Sequence, residues 1–156
     1  MIRPIITNIN ELRQLCQEVT NNDNIKELIQ DLKDTLATKK GVGLTANQIG
    51  INKKISYIKL PKGISKDKKI DYNEYILINA KIVEKNRPVQ VRGESCLSFP
   101  GVSVITRRYV FITVTYLDEN LKERTGLFQD LEALVVQHEI AHQEGKTIFD
   151  FKWRAK

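Results

Sequence analysis

Both histidines of this 156-residue chain lie in one pentapeptide, His138-Glu139-Ile140-Ala141-His142. Residues four apart on a helix stack on one face, so the two imidazoles can aim at a single point. Glu139 sits about a hundred degrees round the same helix, near enough to reach whatever is held there. This is the HExxH arrangement, in which two ring nitrogens hold a metal and a carboxylate takes a proton from water bound to it. Going back along that face come Val135, Leu134 and Leu131, an apolar stripe of the kind that packs into a core. The spacing therefore predicts histidines that point inward, where a polar ring is costly unless a metal or hydrogen bonds satisfy it. The competing reading is two buried structural histidines with Glu139 on a solvated flank.

A third ligand separates the two readings. Cys96 lies in Arg92-Gly93-Glu94-Ser95-Cys96-Leu97-Ser98-Phe99-Pro100-Gly101, between two strand-like stretches. A thiolate with two imidazoles leaves one position open, the pattern of catalytic sites, whereas structural sites close with four protein ligands. The other cysteine, Cys16, shares helical spacing with Leu12, Leu15 and Val19 and reads as a small buried hydrophobe. Two cysteines are too few for a disulfide framework, and none is expected between them.

A glycine-rich segment, Gly41-Val42-Gly43-Leu44-Thr45-Ala46-Asn47-Gln48-Ile49-Gly50, follows an amphipathic helix (Ile25, Leu28, Ile29, Leu32, Leu36) expected to end in Lys39-Lys40-Gly41. It lacks the GK[ST] of a phosphate loop. Its glycines would let the backbone approach a substrate closely, and Gln48 offers an amide donor for a developing oxyanion.

Together the three segments resemble peptide deformylase, whose family carries GxGLAAxQ, EGCLS and QHExDHLxG motifs in that order. Here they read Gly41 to Gln48, Glu94 to Ser98 and Gln137 to Gly145, so that the likeness in order and spacing runs from about residue 41 to 146. Thr45 stands for an alanine of the pattern, Ser95 for a glycine, Ala141 for an aspartate and Gln143 for the usual leucine. The resemblance pairs that aspartate with an arginine matched by Arg108, which must then find another partner or face solvent. Ending at Phe151-Lys152-Trp153-Arg154-Ala155-Lys156, the sequence given would leave no room for the C-terminal helix of many bacterial members, as in shortened viral and organellar forms.

The remainder fits one catalytic domain, 1–156, long enough to bury well over half of its unfolded surface. No apolar run nears the ~20 residues of a membrane span, and the N-terminus is too short for a signal sequence. Asn8-Ile9-Asn10-Glu11 reads as a helix cap, and Asp130 as the cap of the histidine helix. Alternating patterns predict strands at 54–58, 75–78, 81–83, 102–105 and 110–116, then a turn at Asp118-Glu119-Asn120 before Leu121 to Phe128. A lysine-rich loop is expected from Pro61 to Lys69. Strands between terminal helices argue for an α+β fold, with antiparallel sheets packed around the metal-binding helix. The net charge of +6 comes from scattered lysines without interleaved aromatics, which argues against nucleic-acid binding as the main function.

The resemblance implies a hydrolase that removes the formyl group from N-formylmethionyl nascent peptides. It implies Cys96, His138 and His142 as ligands of one divalent metal, ferrous iron natively and zinc or nickel after purification. Glu139 would move the proton, while Gln48 and the Leu97 backbone N–H would bind the oxyanion. Val42, Gly43, Leu44, Ser95, Leu134 and Val135 are expected to contact substrate, with Val42, Leu134 and Val135 around the methionine side chain. A cytoplasmic monomer in a bacterial or virus-infected bacterial cell, or an organelle, with transient ribosome association, would follow. Two rivals remain: an HExxH zinc protease with a ligand other than Cys96, and a non-catalytic formyl-peptide or ribosome-binding protein.

Overall fold

The computed structural model describes residues 1–154. Its β-rich middle forms one antiparallel sheet in chain order: β1 (Gly43–Thr45), β2 (Ile55–Ile64), β3 (Ile70–Ser95), β4 (Ser103–Leu117) and β5 (Glu123–Gln129). The expected α+β class holds. β3 is longer than its alternation suggests. Its first part pairs with β2, from Ile70↔Ile64 to Ile78↔Ile55, and its later part with β4 as far as Ser95↔Ser103. Of the expected loop at 61–69, Pro61 to Ile64 extend β2, and Ser65 to Lys69 form the loop, closed by the Ser65 N to Lys69 O bond. From Glu84 to Ser95 no residue is buried, and only β4 lies alongside, so polar residues and Pro88 are tolerated there. This one-sided stretch carries Glu94 and Ser95 to the end of the sheet.

The N-terminal arm also departs from expectation. Asn8 Oδ1 caps α1 (Ile9–Leu12), accepting from the Asn10 and Glu11 backbones at 2.9 and 3.4 Å. The helix then stops, because the next backbone bonds go elsewhere: Gln17 N donates to Asn52 O, and Val19 N to Asn79 Oδ1. Cys16 is buried as expected, but in irregular chain. α2 (Ile25–Ala37) is capped by Asn24 and ends at Thr38, short of Gly41, with Ile29, Leu32 and Leu36 packed under it.

The last helix, α3 (Asp130–Gln143), touches all five strands. Its cap residue is Gln129, not Asp130; Gln129 is still paired with Phe111 in β5, so the chain reverses at Asp130, at φ 55°. The apolar stripe is reversed too. Leu131 is 62% exposed, Leu134 and Val135 are half-buried, and Ala133, Val136 and Ile140 enter the core beside Ile58, Leu77, Val114 and Phe128. The stripe above the histidines thus lines a cleft.

That reversal makes a stability prediction for the metal-free protein. Ile140→Ala should cost about 2–5 kcal/mol, because it empties a fully packed position. Leu131→Ala should stay within about 0.5 kcal/mol, as exposed substitutions do. Urea titration of both variants checks the pair.

Candidate metal centre and active site

Cys96 Sγ, where β3 gives way to a turn, meets His138 and His142 of α3, the three ligand atoms all lying within 4.8 Å of one another. The two Nε2 atoms are 3.3 Å apart, and His142 Nε2 is 3.4 Å from Cys96 Sγ. A tetrahedral centre with usual bond lengths sets such edges at roughly 3.3 Å for N···N and 3.5 Å for N···S. The donor set therefore fits one metal ion. Neither cysteine is in a disulfide.

Glu94 orients the first of these ligands. Its Oε2 lies 2.9 Å from His138 Nδ1, which turns Nε2 to the centre, as a carboxylate behind a ligating histidine does. The same carboxylate receives Arg108 through Nε at 2.9 Å and Nη2 at 2.6 Å. Arg108 is 2% exposed and stacks on Phe151 at 4.2 Å. It neither faces solvent nor needs an acid at 141; Glu94 is its partner. Burial alone would raise the Glu94 pKa, but the Arg108 and His138 bonds outweigh it and hold the carboxyl well below the usual range. Ala141 and Arg108 instead share a separate cavity of about 520 Å³ behind α3.

Glu139 is no surface residue: it is 3% exposed. Desolvation raises its pKa, offset in part by His138 and by the Thr45 hydroxyl, which donates to Oε1 at 2.9 Å. A carboxylate of raised basicity suits proton transfer near neutrality. Gly41 and Gly43, which line the cleft, also leave room for the side chains behind it. A Cβ on Gly43 would lie 2.7 Å from Glu139 Oε2, and one on Gly41 would lie 2.8 Å from the Leu97 side chain. Gln48 is buried; its Oε1 accepts from Thr45 N, and its Nε2 donates to Ser98 Oγ at 3.1 Å and faces Cys96 Sγ at 3.5 Å.

The cleft above these atoms holds about 480 Å³. Of the residues expected to contact substrate, Val42, Gly43, Ser95, Leu134 and Val135 line it, as does Leu97. Leu44 does not; alternation along β1 turns it into the core, at 0% exposed. Val91, Phe99 and Leu131 are among the further wall residues and were missed, as was Ser98, the partner of Gln48. Ser98 closes the cysteine motif and Phe99 follows it directly; nothing local marks Val91.

The family model described as polypeptide deformylase matches residues 2–154. The chain belongs to this family. It is 38% identical over 147 residues to a peptide deformylase of Clostridium beijerinckii, covering 93% of this chain and 98% of that one. A Rickettsia akari peptide deformylase is 31% identical over 152 residues, covering 96% and 87%. The solved peptide deformylase of Ehrlichia chaffeensis superposes with a TM-score of 0.85 at 32% identity, over 99% of this chain and 89% of that one. That of Legionella pneumophila gives 0.83 at 33%, over 98% and 87%. This chain is accordingly a metal-dependent hydrolase that removes the formyl group from the N-terminus of newly made peptides, and neither rival reading is favoured.

Two measurements follow from the site's electrostatics. Without metal, burial opposes charge on His138, but its bonds to Cys96 and Glu94 prevail and lift its pKa to about 10. Metal uptake must displace that proton, so loading at pH 8 should release protons, and affinity should fall as pH falls. Titration in weakly buffered solution reads both. Glu94→Gln should cost about 3–5 kcal/mol by stranding buried Arg108. The lowered Glu94 pKa adds stability that is complete above the unfolded value, near ~4.3, and lost as pH falls through the folded one. Denaturation curves of the variant should therefore flatten on the acid side.

Proposed function

We propose that Cys96 Sγ and the Nε2 atoms of His138 and His142 hold one divalent metal, natively ferrous iron, at the floor of the cleft. One thiolate and two imidazoles suit iron or zinc, and the family resemblance favours iron, with zinc or nickel as substitutes. The observation that carries this reading is the convergence of those three atoms beside a buried glutamate at the base of an apolar cleft. When bound, the ion polarises the formyl carbonyl and acidifies water.

The chain's own residues supply the rest. Glu139 takes the proton of the attacking water and delivers it to the leaving amine. Gln48 Nε2 and the Leu97 backbone N–H donate to the oxygen that gains charge, each donor worth roughly 3 kcal/mol of barrier. Val42, Leu134 and Val135 take the methionine side chain, with Gly43 and Ser95 along the cleft's edge and Leu44 supporting it from the core. Because formyl is the smallest acyl group, the close wall of Gly43, Glu139 and Leu97 excludes acetyl by size.

The N-formylmethionyl nascent peptide places the enzyme near the ribosome, as one catalytic domain acting as a monomer in the cytoplasm of a bacterial or virus-infected bacterial cell, or in an organelle. Among the described residues no helix is long and apolar enough to cross a membrane.

The test pairs two variants, assayed anaerobically on a formyl-methionyl peptide. Cys96→Ser should fold yet bind metal far more weakly, since a hydroxyl is a poor ligand for a borderline ion. Full metal content and activity in Cys96→Ser would remove it from the site. Glu139→Ala should keep its metal and lose roughly 10²–10⁴ in rate. An unchanged rate would end the proton-transfer role.

A further inference from the structure

Two of this chain's departures from the family pattern, Thr45 and Gln143, are joined in space through Ser56. Gln143 Nε2 donates to Ser56 Oγ at 2.9 Å and to Leu77 O at 3.0 Å, while its Oε1 accepts from Ala80 N. Ser56 Oγ lies 2.7 Å from Thr45 Oγ1, which lies 2.9 Å from Glu139 Oε1. Thr45, Ser56 and Gln143 are all 0% exposed.

Proton counting gives the chain a direction. Both hydrogens of Gln143 Nε2 are committed, and the Glu139 carboxylate can only accept. Thr45 Oγ1 also lies 3.2 Å from the Glu139 backbone oxygen, so its one proton goes to Oε1 as the nearer and charged acceptor, and the Ser56 proton goes to Thr45. Three donors in series, from Gln143 through Ser56 and Thr45, end on one oxygen of the carboxylate and polarise one another in a dry setting.

We infer that Thr45 is a positioning residue for the proton-transfer group, with Ser56 and Gln143 fixing its hydroxyl. The inference rests on the role proposed above for Glu139. A glutamate's terminal torsion is broad and would let the carboxylate turn. Thr45 holds Oε1, so Oε2 stays where Gly43 leaves room for it, 4.0 Å from His138 Nε2. The oxygen that moves the proton is thereby kept beside the metal ligands, and its twin is occupied. The same contacts also tie α3 to β1 and β2, so the test must separate aim from stability.

Thr45→Val keeps the shape and removes the donor. In metal-loaded enzyme on a formyl-methionyl peptide it should lower kcat about tenfold, a modest loss for a misaimed group. KM should stay within about twofold and metal content should not change. Thr45→Ser should recover kcat to within about threefold, because its hydroxyl can make the same bond. Gln143→Leu should lower kcat alone and add nothing on the Thr45→Val background. Wild-type kcat in Thr45→Val, failed rescue by serine, or additive effects would each overturn the inference. Thr45→Ala carries the same expectation should the valine not fold. An inactive wild type would instead count against the proposed function. A readout independent of activity is a melting cycle of Thr45→Val and Glu139→Ala in metal-free protein: coupling supports the contact, and zero coupling overturns the inference even then.

Discussion

The structure depends on a helix that must bury polar side chains. α3 crosses all five strands, and Gln137, Glu139, His142 and Gln143 are each at most 5% exposed. A polar group taken from water without a partner costs several kcal/mol. The helix can dock only where the sheet answers most of them; of these, His142 Nδ1 is buried without a hydrogen-bond partner. Tyr109 takes Gln137 through both its N–H and its carbonyl, at 3.0 and 2.7 Å. Ala80, Leu77 and Ser56 take Gln143, and Thr45 takes Glu139. Glu94 takes His138 from behind.

Those answers come from four different strands, so the docking of α3 has one register. Sliding the helix by a residue would strand several of these groups at once. The metal ligands inherit that precision without further machinery, because His138 and His142 stand one turn apart on a helix already fixed. Cys96 arrives from the end of β3, two residues after Glu94, so the residue that orients His138 and the residue that completes the donor set travel together. Arg108 makes Glu94 a reliable anchor. It keeps the carboxylate charged despite burial, and Phe151 covers the guanidinium face.

What was legible in the sequence was the chemistry that local spacing encodes. Two histidines four apart, a cysteine between strand patterns and a helix after a strand-rich middle led to the donor set and the α+β class. What was not legible depended on tertiary partners. Leu131, Leu134 and Val135 read as core because helical spacing shows that a face is apolar but not what covers it. Here that face borders a cleft, and the opposite face is the core. Cys16 and Val19 read as helical because they share helical spacing with Leu12 and Leu15, yet the Gln17 and Val19 backbones bond to Asn52 and Asn79. The polar run at Glu84 to Pro88 hid the second half of β3, since a strand paired on one side needs no buried alternation. Thr45 and Gln143 looked like isolated departures, and only the approach of β2 joins them through Ser56. Arg108 looked unpartnered because Ala141 offers no carboxylate, although its partner lay inside the cysteine motif.

The central claim is that Cys96, His138 and His142 jointly hold one metal beside Glu139. X-ray absorption on protein loaded with a single equivalent of zinc tests it most directly. The account predicts one sulfur at about 2.3 Å and two imidazole nitrogens at about 2.0–2.1 Å, with the last ligand a light atom. A spectrum without sulfur in the first shell, or one needing two sulfurs, would contradict it.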